Sequence, residues 1–448
     1  MATCQIPWTQ DPVVLEIPDQ QLQARIQAPA LAKLGEPRQL VQQALARPIG
    51  CPPLKDALKP GNRVALLITD TMDRLMGPPH NIGPFLLDEL NRAGVPDSHI
   101  SVVHAAGMHG HAGAAGRLGE EWLRRVRYVE HHPGREAELK FVGTTKIGTP
   151  VWVNKELAEA DFALGVGGCS PSLFGFHGGA GIVLPGAAGR DTIRHNHTFV
   201  LMDRSLAGWG PGNPQREDVQ DAGDLAGFDL KIDFTANTVF AGYHRAQWPV
   251  AVKYCQQHMT LVEPGDIYIL GIGASPNLGS LYMHIEAAQQ ATREGGIVIA
   301  LISAHQQPDV SDWSEARALQ QTLDSTDAWM EDSGDQVHSG EAHQLDLVAR
   351  FRLMQSALPR LAQILSRREG EPRSTCMAWS HRRAIERRRT FLVSELDPEL
   401  ALSYGFARGF ASFEEAFGQA CRELGHQAKV ILNAPVGGFP LLAQNRVA

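Results

Sequence analysis

Three short apolar runs constrain the fold of this chain more than any other feature: RVALLITD (63–70), ISVVHAAG (100–107) and DFALGVGG (161–168). Each has strand length, and each ends on an aspartate or a glycine. Between the first two lies IGPFLLDELNRAGV (82–95), with helical apolar spacing and a stop at Gly94. Strands that alternate with helices imply a mainly parallel sheet, because parallel neighbours need a crossover. In such sheets the loops after the strand carboxyl ends carry the chemistry. That rule selects Asp70, His109 and the loop 168–181.

A second series follows the turn signal EPGD (263–266). DIYILGIG (266–273), IVIALISA (297–304), TFLVSE (390–395) and AKVILN (428–433) read as strands. SLYMHIEAAQQATREGG (280–296), residues 309–321, 360–374 and 412–424 read as helical, the third running into a solvated loop. RRAIERRR (382–389) reads as an exposed helix face with Glu–Arg pairs. The expected fold class is therefore α/β, with two doubly wound units divided near 263: residues 1–262 as the cofactor-binding and catalytic domain, and 263–448 as a Rossmann-like domain. A chain of 448 residues has ample length for this, at about 100–200 residues per domain.

The net charge of −8 argues against a nucleic-acid partner, whose binding domain would show a basic face. Six cysteines are scattered without a C-x-x-C pair, so a disulfide framework or cysteine zinc site is not expected. The first twenty residues do not read as a signal peptide, and no stretch approaches the ~18 apolar residues of a membrane span. The expectation is a cytoplasmic protein with no membrane partner.

Three stretches carry candidate chemistry. In TDTMDR (69–74), Asp70, Asp73 and Arg74 stand at a sheet mouth, where an acid could bind ribose hydroxyls or orient a base; a helix cap or Asx turn is the plainer reading. In AAGMHGHAG (105–113), His109 and His111 could bind a metal or serve as a base near neutral pH, or be inert loop histidines. In GFHGGAGIVLPGAAGRDTIRHNH (175–197), Gly178, Gly179 and Gly181 allow close backbone approach, and successive amides could hold a phosphate. Tight turns would use the same glycines. The stretch matches neither the phosphate-loop G-x-x-x-x-G-K-[ST] nor a dinucleotide G-x-G-x-x-G in a strand-to-helix setting.

Taken in order, these segments resemble the nickel-dependent lactate racemase family. The resemblance rests on TDTMDR, AAGMH (105–109), residues 143–168, and the block FHGGAGIVLPGAAGRDTIRHNH (176–197). PNLGSLYMHIEAA (276–288) and REGGIVIALISA (293–304) continue it more loosely. It implies an active site in the cleft between two α/β domains and a nickel pincer nucleotide, a pyridinium ring binding nickel through two sulfurs and one carbon. It also implies cofactor-synthesis proteins as partners. His197 would be the protein ligand to nickel, a role a neutral imidazole suits. In the implied reaction a histidine base, His109, takes the hydroxyl proton of a 2-hydroxy acid. Hydride passes to the cofactor, and its return to either face racemises or epimerises the substrate.

The chain departs from the family pattern at several positions. Gly181 stands where members carry a lysine that tethers the cofactor, so noncovalent binding is expected. Pro171 or Ser172 stands where a second histidine base lies, and His177 is the expected substitute. A substrate-binding glutamine and lysine align with Met283 and Glu286, and Glu286 would repel a carboxylate. The aspartate–arginine motif is shifted by one residue, leaving Asp73 or Arg74 in the substrate-binding place. These departures point to a substrate other than lactate, larger or more neutral. The alternatives are a noncatalytic ligand-binding or sensor protein of the same fold, and a metal-dependent hydrolase using His109, His111, His195 and His197.

Overall fold

The computed structural model describes residues 1–28, 31, 34–109, 111, 113–202, 204–205, 210–275, 277–304, 308–331 and 341–447. Two six-stranded sheets organise them. The first has the edge-to-edge order Val239–Gly242, Phe228–Phe234, Phe162–Gly168, Val64–Ile68, Ile100–His104, Arg127–Glu130. Neighbours run parallel, except that Val239–Gly242 folds back against Phe228–Phe234. Val64–Ile68 is fully buried between layers of helices and loops, which accounts for its uninterrupted apolar run. From it the chain builds outward on one side, through Ile100–His104 and Arg127–Glu130. It then returns to build the other side from Phe162–Gly168. Strand order reverses between Val64–Ile68 and Phe162–Gly168, the position at which open α/β sheets bind ligands.

The second sheet runs Arg408–Phe410, Arg389–Val393, Thr292–Ala304, Gly265–Ser275, Val430–Asn433, Leu22–Arg25, all parallel. It has its own reversal, between Gly265–Ser275 and Val430–Asn433. The architecture is thus α/β with two sheets wound in the expected way.

The partition at residue 263 needs a correction. Leu22–Arg25 is the edge strand of the second sheet, and the hairpin Ala2–Ile6/Val13–Ile17 covers that sheet. Ile6, Leu15 and Ile17 are buried with Ile267, Ile299, Phe391 and Leu432 in one apolar layer. The N-terminal segment therefore belongs with the C-terminal half. The last residues travel the other way, with the Val447 amide donating to Gln256 Oε1 (2.7 Å) on the helix His244–Gln257.

Three local expectations also shift. The helix expected over 280–296 ends at Gln290, because Thr292 already pairs with Gly265 at the start of a long strand. The solvated loop expected near 370 is a helix start: the Glu371 carboxylate caps the amides of Arg373 (2.8 Å) and Ser374 (2.6 Å), and Pro372 occupies the first turn. This begins the helix Pro372–Arg387. Its arginines 382 and 383 are packed rather than exposed, on Glu386 and Glu286 respectively.

Candidate active site

A cavity of about 820 Å³ lies between the carboxyl ends of the two sheets. Its first-sheet wall is formed by the segments after three neighbouring strands: Asp70 after Val64–Ile68, His109 after Ile100–His104, and Gly168–Phe174 after Phe162–Gly168. The loop with His177, Gly178 and Gly181 and the helix Arg190–Thr198 with His197 complete that side. Arg373, Met377, Gly438 and Phe439 line it from the second half.

Asp70 opens a 3-10 turn directly beyond its strand. His109 Nδ1 lies 2.9 Å from Asp70 Oδ2. A carboxylate only accepts, so Nδ1 carries the hydrogen and the ring is held in the tautomer that presents Nε2 as an acceptor. Of the two uses expected of Asp70, this geometry matches orienting a base.

Asp73 and Arg74 do not line the cavity. Asp73 is buried at the start of the next helical turn, 3.0 Å from both His104 Nε2 and Arg117 Nη2. Arg74 is exposed on that turn. His111, expected beside His109, also turns inward. Its Nδ1 lies 2.6 Å from His104 Nδ1, and its Nε2 lies 2.5 Å from the His131 carbonyl. Burial, reinforced by the neighbouring His104, pushes its pKa down to about 2.

The glycine loop is held from behind by groups of two neighbouring elements. The Gly179 amide donates to Asp233 Oδ2 (2.9 Å) and the Ala180 amide to Gln220 Oε1 (3.3 Å). Arg216 Nη2 donates to the Gly178 carbonyl (2.5 Å). Gly178 has φ +97°, and a Cβ there would meet Asp233 Oδ2 at 2.9 Å and Cys169 at 3.0 Å. Gly179, expected to face a ligand, instead faces Gln220 and Trp248 behind the loop, where a Cβ would collide. Gly178 and Gly181 do line the cavity.

His177 projects into the cavity from the loop, and its backbone carbonyl accepts the Trp248 indole N–H at 3.0 Å. The residue is exposed to the cavity. Desolvation by the surrounding protein, with the Arg216 and His109 charges, lowers its pKa to about 4, so it is neutral at pH 7. His197, in the last turn of Arg190–Thr198, is buried beneath Phe174. Its Nδ1 has no hydrogen-bond partner. Burial, with a smaller push from the Arg373 charge, lowers its pKa to about 4 as well. Pro171 and Ser172 form half of a two-residue-per-strand hairpin on the rim.

The four histidines of a hydrolase site do not converge. His111 belongs to the inward cluster, and no group of three or more His, Cys, Asp or Glu side chains among the described residues could hold a metal alone. Glu286 is also not where the repulsion argument needs it. It is buried outside the cavity lining, 3.1 Å from Arg383 Nη1, so it repels nothing there. The side chain of Met283 lies outside the described residues.

Sequence reading missed Lys231, Asp233 and Arg216. Lys231 is fully buried on Phe228–Phe234, 3.2 Å from Asp233 Oδ1, and lines the cavity. Its ammonium occupies the space a Cβ on Gly167 would fill, so the glycine in the neighbouring strand makes room for it. Burial lowers its pKa, and Asp233 opposes that shift. The available signal was a lysine and an aspartate inside FDLKIDF, a polar interruption that a buried parallel strand rarely tolerates without a reason.

Residues 8–210 match the family model described as the lactate racemase N-terminal domain. A lactate racemase from Thermoanaerobacterium thermosaccharolyticum is 26% identical over 318 residues, covering 67% of this chain and 74% of that protein. One from Lactiplantibacillus plantarum is 26% identical over 325 residues, covering 68% and 75%. The solved lactate racemase apoprotein from T. thermosaccharolyticum superposes with a TM-score of 0.73 at 21% identity, covering 98% of this chain and 100% of that one. A Thermotoga maritima protein superposes with a TM-score of 0.53 at 15% identity, covering 92% and 100%. These two structural likenesses establish the fold.

Proposed function

Because the chain is a divergent member of the lactate racemase family, we propose that it is an isomerase that inverts the C2 centre of a 2-hydroxy acid. One observation carries the reading: the Asp70–His109 pair, His177, His197 and the glycine loop open on a single cavity. A racemase must take up a hydroxyl proton from whichever hand it binds and return it afterwards. His109, fixed by Asp70, is the first such base. His177, neutral at pH 7, is the second, in place of the histidine that Pro171 or Ser172 replaces.

The residues present fit a nickel pincer nucleotide. His197 offers a neutral imidazole with an orphaned buried nitrogen, and at Gly178 and Gly181 the cavity is lined by backbone without a side chain. When bound, such a cofactor supplies a hydride acceptor that also returns the hydride. With Gly181 in the tether position it is bound noncovalently, and cofactor-synthesis proteins are the required partners. The substrate is bulkier than lactate, since Leu173, Phe174, Met259, Met377 and Phe439 line the space. All six cysteines are free, which suits a reducing compartment, and we assign the enzyme to the cytoplasm. No helix among the described residues is long and apolar enough to cross a membrane.

The test is inversion at C2, followed by chiral chromatography of single-enantiomer 2-hydroxy acids, using protein produced with the cofactor-making enzymes. Wild type should invert at least one acid, and His109→Ala should do so at least ~10²-fold more slowly. A second reading, a binding protein that has lost catalysis, is favoured by Gly181. Protein that carries neither nickel nor the pincer's visible absorption, and that inverts none of the acids, would establish it.

A further inference from the structure

On the first-sheet side of the cavity wall, Arg216 stands apart from the other charged groups by its contacts. Lys231 has Asp233 at 3.2 Å, and the other oxygen of Asp233 is taken by the Gly179 amide. Asp70 is engaged with His109. Arg216, from the helix Pro214–Leu225, is buried and lines the same cavity. Among the described residues, no carboxylate lies within the 4.0 Å of an ion pair to its guanidinium. Its Nε is buried without a hydrogen-bond partner. Burial lowers its pKa only to about 10, so it is charged at neutral pH.

A buried charge without a direct ion-pair partner is costly, and Asp233 and Glu217 act on this one only from a distance. This one is held in place nevertheless. Nη2 is fixed by the Gly178 carbonyl, and the guanidinium lies over the Trp248 ring, 5.0 Å from its centre. The direction it addresses is equally specific. Nη1 stands 3.4 Å from where a Cβ on residue 181 would sit. A planar fork prearranged at a cavity wall is built to take two oxygens of one oxyanion.

We propose that Arg216 is the anion-recognition residue of this cavity, pairing with the carboxylate or phosphate oxygens of the bound ligand. The proposal deepens the racemase reading and rests on it for the choice of probes. A 2-hydroxy acid brings a carboxylate, and a pyridine mononucleotide brings a phosphate. Lys231 strengthens the local field, but its ammonium is already matched.

The experiment uses full-length protein made without nickel or the cofactor-making enzymes. Binding of glycolate, inorganic phosphate and nicotinic acid mononucleotide is followed by calorimetry and thermal shift, against potassium chloride of equal ionic strength. At least one of the three should raise the wild-type melting temperature in a saturable way. The dissociation constant should rise at least ~10-fold in Arg216→Lys, which keeps the charge and loses the fork, and the response should vanish in Arg216→Met. A glycolate response alone assigns the substrate carboxylate; a response to phosphate or the mononucleotide assigns the cofactor end. Equal responses in wild type and Arg216→Met, or no response in wild type up to millimolar anion, overturn the proposal. If Arg216→Met fails to fold by circular dichroism, Arg216→Lys decides: an unchanged constant overturns it. Nickel and turnover enter no arm, so failure of the racemase reading and failure of this site are separable.

Discussion

Within one short stretch the chain builds two aspartate–histidine pairs, Asp70–His109 at 2.9 Å and Asp73–His104 at 3.0 Å. The residue types and distances are almost the same; the surroundings are opposite. His109 has a side-chain exposure of 40%, through the cavity, whereas His104 and Asp73 are at 0% and 1%. In the inner pair, His104 Nε2 must donate to Asp73 and His111 Nε2 must donate to the His131 carbonyl. The two Nδ1 atoms facing each other at 2.6 Å therefore need a further proton between them. Asp73 lies opposite on the other side of His104, and Arg117 completes the cluster. The inner pair fixes charge where no substrate can reach, and the outer one aims a base at an accessible space. Access to the cavity separates chemistry from scaffolding here, not the pairing of residue types.

The most severe way to break this contrast is to remove each histidine in turn. His109→Ala should lower turnover by roughly 10²–10⁴-fold while thermal unfolding hardly moves. His104→Ala should do the converse, losing about 3–5 kcal/mol of stability because Asp73 is left buried beside Arg117 without its second partner. Parallel losses of activity and stability in both variants would erase the distinction; denaturant titration and chiral assay of C2 inversion on the same preparations measure it. Next in size, Asp70→Asn should cost about 10²-fold or more in turnover by releasing the His109 tautomer, with a normal unfolding midpoint.

A smaller effect is expected at the loop. Gly181 does not have a positive φ, so a side chain is conformationally admissible there, but Arg216 Nη1 stands 3.4 Å from its Cβ position. Gly181→Lys should therefore destabilise by about 1–3 kcal/mol. Combining it with Arg216→Met should recover at least ~0.5 kcal/mol relative to additivity, as a double-mutant cycle would reveal. The smallest effect is a pH slope. His111 and His131 have pKa values lowered to about 2 and about 4, chiefly by burial. Below pH ~6.5 their unfolded imidazoles bind protons that the folded ones refuse, so stability falls on acidification by up to ~1.4 kcal/mol per pH unit for each residue. For His131 the loss ends near pH 4. Urea midpoints between pH 7 and 4 should fall, and His131→Asn should flatten the trend.

Much of this was legible in the chain. The strands at 64–68, 100–104 and 162–168 and the loop after them follow from local apolar pattern, and they carry His109, His177, Gly178, Gly181 and His197 into one cavity. Asp73 was misplaced because the two carboxylates sit on successive tight turns, and three residues of spacing cannot tell which side of the sheet mouth each one meets. The strand Phe228–Phe234 went unread because Asp229, Lys231 and Asp233 break its apolar run. Arg216 was missed for a related reason. PQREDVQDAGDL reads as a solvated helix, yet Gln215, Arg216, Asp218, Gln220 and Asp221 are all buried in it. Their partners are side chains and loops far along the chain: Asp218, for example, receives hydrogen bonds from Thr145, Thr149 and Asn196. Pairings of that range leave no local trace in a sequence.

The placement of Leu22–Arg25 beside Val430–Asn433 bears on how this gene can be divided. A fragment cut after residue 262 and expressed from 263 would bare a hydrogen-bonding strand edge and the aliphatic layer that Ile6, Leu15 and Ile17 cover, a surface prone to self-association. Splicing residues 1–26 onto that fragment through a flexible connector restores the missing strand. The separable pieces of this molecule are therefore an inserted middle and a surrounding frame, rather than a front and a back.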